Sequence, residues 1–436
     1  MEIMKSIGLA AVMLISIVYL SYVPAQSDFG IIFICYLSAF LGYFFILKSN
    51  WNLKKILLLA IALRLLLVPA FPNLSDDIYR FIWDGHLVMQ GMNPYLYLPS
   101  SLFAENADWT SQAVSLFANL NSQEYYTIYP PVSQLVFAVS TILSGGDLIP
   151  SAIVMKLILL LGEIGLLNLL IKLLRHYKQE ENKLALYALN PLVIVEVMGN
   201  MHYEGLMLCF LCLGWLLIVK QKLLSAGLAF SISIGIKLLP LMLMPFLIVY
   251  LGWQKAIKLF TVMGISLIII FIPVWLNFSF FWKSLDLYFQ KFEFNASIYY
   301  VLRWLGFQIK GFNMIHIIGP LLAFSTIVLI AKYSYDYSRK SKIRLPEYWL
   351  FAFTTYLFLA TTVHPWYTIV PIGLCVFTRF RFPIFWSALI ILSYANYSHS
   401  EYRENLWFVA FEYMLVFGFL FYELMRPKIP ITQNTI

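Results

Sequence analysis

Three aspartates and one arginine, Asp76, Asp77, Arg80 and Asp84, fall within nine positions of a chain that is 61% hydrophobic and only 12% charged. Carboxylates beside a guanidinium can take a proton from a hydroxyl and stabilise developing charge, which is the chemistry of group transfer. The stretch SDDIYRFIWDGHLVMQGMNPY from Ser75 to Tyr95 reads as a helix, with Ser75 as its N-cap and Asp76 and Asp77 in the first turn. Helical spacing puts Asp76, Tyr79, Arg80 and Trp83 on one face and Asp77, Arg80 and Asp84 on the next, so Arg80 is placed to reach either member of the tandem pair. Gly91 ends the helix and Asn93-Pro94-Tyr95 starts an extended exit. Capping alone would account for one aspartate. Clustered carboxylates at the rim of an apolar region are costly unless used, and that favours Asp76 or Asp77 as a general base.

The elements that must hold these groups are membrane helices. Apolar runs recur along the whole chain, each close to bilayer length, which excludes a soluble domain. Candidate spans fall at roughly 3–23, 29–47, 54–72, 150–174, 183–200, 205–220, 222–236, 238–251, 257–276, 313–333, 347–363, 366–378, 382–397 and 406–424. The expected fold class is an all-α polytopic membrane protein of about 13 to 14 transmembrane helices, with short segments flanking Lys237 and His364 that read as half-helices. Residues 1–436 form one domain in this reading, with a catalytic outer loop over 73–149 carrying juxtamembrane helices and a second outer loop over 277–312. The first apolar run, followed by Pro24-Ala25-Gln26, has the look of a signal peptide but is read as an uncleaved span. Residues 427–436 read as a short polar tail.

Charge sets the sidedness. The segment Pro131 to Leu143 is too short to cross and is read as lying in the interface, opened by Tyr129-Pro130-Pro131. With that choice 21 of the 30 Lys and Arg lie on the inner side, and Arg80, Lys283, Lys291, Arg303, Lys310 and Arg403 lie outside. Arg64, Lys156 and Lys237 fall within spans. The net charge of +8 therefore reflects topology rather than nucleic-acid binding. The same choice carries Asp76, Asp77, Arg80, Asp84, His202, Glu204, Asn295, Arg303 and His364 to one outer face.

Other residues are weighed singly. Lys237, in SIGIKLLPLMLMP, interrupts an apolar run ahead of Pro240, which suggests a broken helix opening to a cavity, or else a lysine snorkelling to the interface. Arg64 in the third span needs a partner, Glu163 or the loop aspartates. Arg80, Lys237, Arg303 and His364 are the candidates to bind a phosphate. Asp84 is read as orienting Arg80. Cys209-x-x-Cys212 lies in an apolar run without a second pair, so no metal or redox role is assigned. His202 and Glu204 are too few for a metal site. The sequon-like Asn277-Phe278-Ser279 and Asn295-Ala296-Ser297 are read as coincidence, with Asn295 placed in the cavity wall.

The run SDDIYRFIWDG, then GMNPY, YPP, NPLVIVEVMGNMHYEG and VHPWY, in that order over residues 64 to 380, resembles the polyprenol-phosphate-mannose-dependent mannosyltransferases of bacterial envelopes, in the GT-C superfamily. The resemblance implies a carboxylate of the first large outer loop as base, here Asp76 or Asp77, and a polyprenyl-phosphate-linked sugar as donor. It also brings Tyr129, His202, Glu204, His364 and Tyr367 into the substrate-binding set with Arg80, Asp84, Lys237, Asn295 and Arg303. Transfer of mannose, or another hexose or pentose, to an outer-face glycan, glycolipid or protein acceptor is expected, with inversion. No cofactor is expected, and a divalent cation is left open. The expected location is a bacterial inner membrane, with the site facing the periplasm. The rival from another class is a flippase or transporter of a lipid-linked sugar. Transporters hold their charges near the midplane and show paired repeats, whereas here the charges gather outside and no repeat is seen.

Overall fold

The computed structural model describes residues 2–105, 109–340, 344–398 and 404–426. Arg403, assigned above to the outer side, and the 427–436 tail lie outside the described residues, as do Lys342 and Lys428, counted with the inner-side basic residues. The architecture is all-α, as a chain in hydrocarbon requires when every backbone group must be satisfied within its own segment. Among the described residues five helices are long and apolar enough to cross a membrane: Phe29–Lys48, Leu148–His176, Trp253–Ile270, Ile315–Ser338 and Leu406–Met425. The pair Pro191–Gly199 and Glu204–Val219, bent by 109° at the break, makes a sixth when counted as one broken span. The protein is thus a multi-pass membrane protein, and several of the expected spans are realised as shorter apolar helices, among them Gly8–Tyr22, Leu223–Ile236, Leu239–Leu251 and Phe382–Tyr397.

The breaks follow from the sequence. The expected span 183–200 divides into a 3-10 turn, two four-residue helices and the π-helical turn Val195–Gly199, with Pro191 opening the second helix. The expected span 366–378 is a 3-10 turn from Pro365 and the seven-residue helix Ile369–Cys375, buried throughout and holding Pro371. Leu223–Ile236 stops at Lys237, whose backbone is extended, and a 3-10 turn containing Pro240 follows.

Eight helices precede the first break: α1 (Glu2–Tyr22), α2 (Phe29–Lys48), α3 (Leu53–Leu66), α4 (Asp77–Met89), α5 (Pro99–Glu105), α6 (Ser111–Ala118), α7 (Pro131–Leu143) and α8 (Leu148–His176). In α4 the N-cap is Asp76 rather than Ser75. Its side chain makes no capping hydrogen bond, and the Asp77 N–H donates to Ser75 Oγ over 3.4 Å. Capping therefore does not explain the tandem acids. Gln90 closes α4, and Gly91 takes φ +75°, a left-handed value that suits glycine.

Buried charges tie α3 to α8. Arg64 donates from Nε and Nη2 to Glu163 Oε2 at 2.9 and 2.8 Å, and from Nη1 to the carbonyls of Ala60 and Ala188. Tyr187 donates to Glu163 Oε1 at 2.8 Å, so of the two partners weighed for Arg64 the structure selects Glu163. Removing one partner of such a pair costs about 3–5 kcal/mol, because the other charge stays buried alone. Lys156 lies fully buried on α8 and donates to the carbonyls of Leu67 and Ala70, where the chain leaves α3 for the Asp76–Asp77 turn.

The short helix α7 packs its Gln134, Phe137 and Thr141 face on α4, with Phe81 and Phe137 stacked at 4.4 Å. The two expected outer loops also touch. Tyr95 meets Phe281, Tyr125 meets Phe292, Tyr126 stacks on Phe280, and Asn93 Nδ2 donates to the Pro273 carbonyl at 2.8 Å. At the α4–α7 crossing, a Cβ on Gly85 would lie 2.2 Å from Thr141 Oγ1 and 2.9 Å from the Phe137 carbonyl oxygen. Gly85→Ala should therefore separate the two helices and destabilise the protein by about 1–3 kcal/mol, read as a lower melting temperature of the detergent-solubilised protein. Unchanged melting would show that the crossing is looser than this packing requires.

Candidate active site

Four chain breaks converge on one group of polar side chains. The start of α4 supplies Asp77, the turn between Gly199 and Glu204 supplies His202 and Glu204, the end of Leu223–Ile236 supplies Lys237, and the turn before Pro365 supplies His364. Broken helices are the usual way to bring polar atoms to membrane depth, since freed backbone and charged side chains can then face one another instead of lipid.

Asp76 and Asp77 are not equivalent. Asp76 is exposed, whereas the Asp77 side chain is only 23% exposed and points inward. Asp77 is held by Asn121 and Tyr129, feels the Lys237 charge, and places Oδ2 4.0 Å from His202 Nδ1. His202 stacks on Trp366 with ring centres 3.6 Å apart, and its Nε2 lies 3.3 Å from Glu196 Oε2. Glu196 sits on the π-helical turn and accepts from Asn200 Nδ2 and the Tyr394 hydroxyl, both at 2.9 Å.

On the other side, Lys237 pairs with Glu204 and lies over the Tyr367 ring at 5.6 Å. His364 stacks on Trp366 at 4.4 Å and on Phe294 at 4.5 Å. Phe294 is itself pinned beside the His364 segment by backbone hydrogen bonds, from its own N–H to Thr361 and from Val363 N–H to its carbonyl. Buried atoms without a hydrogen-bond partner among the described residues include His202 Nε2, His364 Nδ1, Glu204 Oε2 and Arg80 Nη2. So many unmet donors and acceptors in one region are what a ligand-binding site presents before its ligand arrives.

The structure corrects the expected partner of Arg80. Arg80 does not hold the tandem acids: its Nε donates to Asp84 Oδ1 at 2.9 Å, and its Nη1 to the carbonyls of Ser122 and Tyr125 at 3.1 and 2.8 Å. Asp84 Oδ2 accepts from Gln134 Nε2 at 2.7 Å. The i, i+4 spacing within α4 favours this pair, because Asp77 at the helix start turns toward Lys237 instead. Arg303 is engaged by Glu293, which also accepts from Tyr299 and Asn313, and so sits apart from the Asp77 group. Asn295 is fully buried with its amide on the Glu412 carboxylate, and it reaches the site only through its neighbour Phe294. Of the residues singled out in the sequence, Asp77, Tyr129, His202, Glu204, Lys237, His364 and Tyr367 are brought together. Asp76, Arg80, Asp84, Asn295 and Arg303 surround them.

Sequence reasoning missed three contributors. Glu196 lies inside the NPLVIVEVMGN run, where a lone glutamate among aliphatic residues was the available signal. Trp366 joins the two imidazoles, and Asn121 bonds Asp77 from a loop without any pattern. The opposite face of α4 lines a separate cavity of about 240 Å³ between Trp83, His86, Trp109 and Gln112.

A family model described as alpha-(1->6)-mannopyranosyltransferase, N-terminal domain, matches residues 12–253, which hold Asp77, His202, Glu204 and Lys237. The chain belongs to that family. It is 22% identical over 188 residues to alpha-(1->6)-mannopyranosyltransferase A of Corynebacterium glutamicum, covering 43% of this chain and 36% of that protein. It is 24% identical over 201 residues to alpha-(1->6)-mannopyranosyltransferase A of Mycobacterium tuberculosis, covering 46% of this chain and 37% of the relative. With alpha-(1->6)-mannopyranosyltransferase B of C. glutamicum the identity is 26% over 144 residues, 33% of this chain and 23% of that protein. The chain thus spans less than two fifths of the length of the curated relatives it matches. His364, Trp366 and Tyr367 lie beyond the matched region and join the site through the fold.

Burial raises the Asp77 carboxyl above its ordinary value of 3.8, against the smaller opposing effects of Lys237, Asn121 and Tyr129. The folded state therefore holds this proton more tightly than the unfolded chain does, and stability falls as pH rises through the window above 3.8. Asp77→Asn should consequently melt higher than the wild type at about pH 7, by roughly a few degrees, and the gain should vanish toward about pH 4. A melting difference that does not change with pH would contradict this assignment.

Proposed function

We propose that the protein is a membrane mannosyltransferase that moves mannose from a polyprenyl-phosphate donor to a hydroxyl of a glycan, glycolipid or protein acceptor. The observation that carries the reading is the inward-facing Asp77, set among His202, Lys237 and Glu204 within the part of the chain that belongs to the mannopyranosyltransferase family. Asp77 is the general base. It takes the proton of the acceptor hydroxyl as that oxygen bonds to the anomeric carbon and the bond from that carbon to the phosphate oxygen breaks. Its desolvation suits the role, because a carboxylate taken partly out of water is a stronger base.

The departing phosphate falls to Lys237 and His364. Glu204 holds Lys237 in place and can release it to the phosphate, and Tyr367 offers its ring face beside the ammonium. A single displacement from a β-linked mannosyl phosphate yields an α-mannoside, so the reaction inverts. The chemistry calls for no cofactor, since base and cation are both side chains. We place the site on the outward face of a bacterial inner membrane, in keeping with the excess of basic residues assigned to the opposite side. Arg80 and Asp84 act by fixing α4 against the Ser122–Tyr125 turn.

The test uses purified full-length protein, a synthetic polyprenyl-phosphate β-mannose and octyl α-mannoside as acceptor probe. Asp77→Asn should lower kcat by about 10²- to 10⁴-fold, with donor binding retained, whereas the exposed Asp76→Asn should stay within a few-fold of wild type. Wild-type turnover by Asp77→Asn would sink the base assignment. Movement of the lipid-linked sugar between leaflets without mannosyl transfer would sink the enzyme reading.

A further inference from the structure

A base that accepts a proton in a half-buried site must either keep it until product leaves or pass it on. Asp77 has somewhere to pass it. His202 lies between two carboxylates, with Nδ1 4.0 Å from Asp77 Oδ2 and Nε2 3.3 Å from Glu196 Oε2. The imidazole is 2% exposed and stacking on Trp366 fixes the plane of its ring, which is the plane containing both nitrogens. Glu196 is 1% exposed and held by two donors, Asn200 and Tyr394, while Asn200 Nδ2 also reaches the Tyr394 hydroxyl at 3.1 Å. The carboxylate stands on a five-residue π-helical turn, Val195–Gly199, and Asn200 and His202 donate their backbone N–H groups to Val195 and Glu196 across it. Such a turn widens the helix by one residue and redirects the side chains it carries, and it occurs mostly where function requires it. A glutamate that only filled space among aliphatic residues would not need this scaffold.

We propose that His202 and Glu196 form a proton relay that clears Asp77 during transfer. The inference rests on the mannosyltransferase reading above. The acceptor O–H bond breaks as the proton joins Asp77, the new glycosidic bond forms, and the phosphate leaves with the electron pair of its bond to the anomeric carbon. The Asp77 proton then moves to His202 Nδ1 while the proton on His202 Nε2 moves to Glu196 Oε2. Asp77 is again a carboxylate, His202 is again neutral with its tautomer exchanged, and Glu196 is a carboxylic acid. The reverse transfer restores the starting tautomer when the product has left and water reaches Asp77. Neither step is a formed hydrogen bond in the free protein, since Asp77 Oδ2 is 4.0 Å from Nδ1 and Nε2, at 3.3 Å from Glu196 Oε2, is not aligned with it. The relay requires both to tighten when substrate binds, as catalytic hydrogen bonds often do. Lys237 and His364 also face this imidazole electrostatically, and Glu204 faces Glu196. Burial first, and then the Lys237 charge beside it, keep His202 neutral between turnovers.

Two measurements test the relay. With the synthetic polyprenyl-phosphate β-mannose and octyl α-mannoside, Glu196→Gln should lower kcat by about 10²-fold while the donor KM stays within about twofold of wild type. Glu196→Asp should recover a substantial part of that loss, and the Glu196→Gln, His202→Gln double variant should be no slower than the slower single variant, as expected of groups acting in series. The second measurement needs no substrate. Infrared spectra of the wild type over pH should contain the carbonyl band of protonated Glu196, identified by its loss in Glu196→Gln. Asp77→Asn should shift the midpoint of that band, and in a His202→Gln background the shift should disappear. Wild-type turnover by Glu196→Gln, or a band midpoint indifferent to Asp77 or linked to it equally well without His202, would overturn the relay. If the wild type transfers no mannose at all, the functional reading fails, and the infrared linkage still decides whether His202 couples the two acids.

Discussion

The ion pair between Lys237 and Glu204 holds the site together, because it closes the open end of the helical hairpin formed by Glu204–Val219 and Leu223–Ile236, where two chain breaks face each other. Each residue stands where a helix stops or starts, and each would be costly alone in an apolar region. Once paired, they place a cation within electrostatic reach of Asp77, His202 and His364. Glu204 is fully buried and Lys237 is 18% exposed, so the acid is locked in while the amine stays partly accessible. An ammonium on a flexible stem can change anionic partners in a way that a bidentate guanidinium cannot.

The division of labour among the charged groups follows from how completely each is satisfied. Arg64 and Glu163 close on one another with Tyr187 and two carbonyls, leaving the Arg64–Glu163 pair no free valence for a ligand. Arg80 and Asp84 come close to the same condition, bonded to each other, to Gln134 and to loop carbonyls. These groups fasten elements together. In the site itself His202, Glu204 and His364 each keep an unmatched polar atom, and in a low-dielectric setting such atoms carry a free-energy cost that substrate can relieve.

Aromatic rings supply the rigidity that hydrogen bonds leave out. Trp366 stacks on both His202 and His364, and Phe294 packs on His364 from a segment bonded to Thr361 and Val363. Asn295, next to Phe294, takes φ +45° and is gripped by Glu412 from Leu406–Met425. The last described span is thereby connected to the imidazole side of the site through a single short segment. A substitution at Glu412 or Asn295 would act on His364 through packing and not through contact.

The amino-acid sequence alone determined the class of the protein and the neighbourhood of its chemistry. Apolar runs of bilayer length imposed an all-α membrane fold, Pro240 and Pro365 marked helices that must break, and Asp76-Asp77 stood out because charge is scarce in such a chain. These are local properties, encoded in spacing, hydropathy and backbone restriction. Tertiary structure decided which partner each charge took. Helical periodicity put Arg80 within reach of Asp76, Asp77 and Asp84, and packing against α7 and the Ser122–Tyr125 turn settled it on Asp84 alone. It also turned Asp77 inward and Asp76 outward, and it recruited Glu196 and Trp366 from segments that read as ordinary core. The physical reason is that burial energy depends on what a side chain meets across the fold. Asp77 meets Asn121 and Tyr129 from a later loop and His202 and Lys237 from further still, at separations where one-dimensional spacing carries no geometric information.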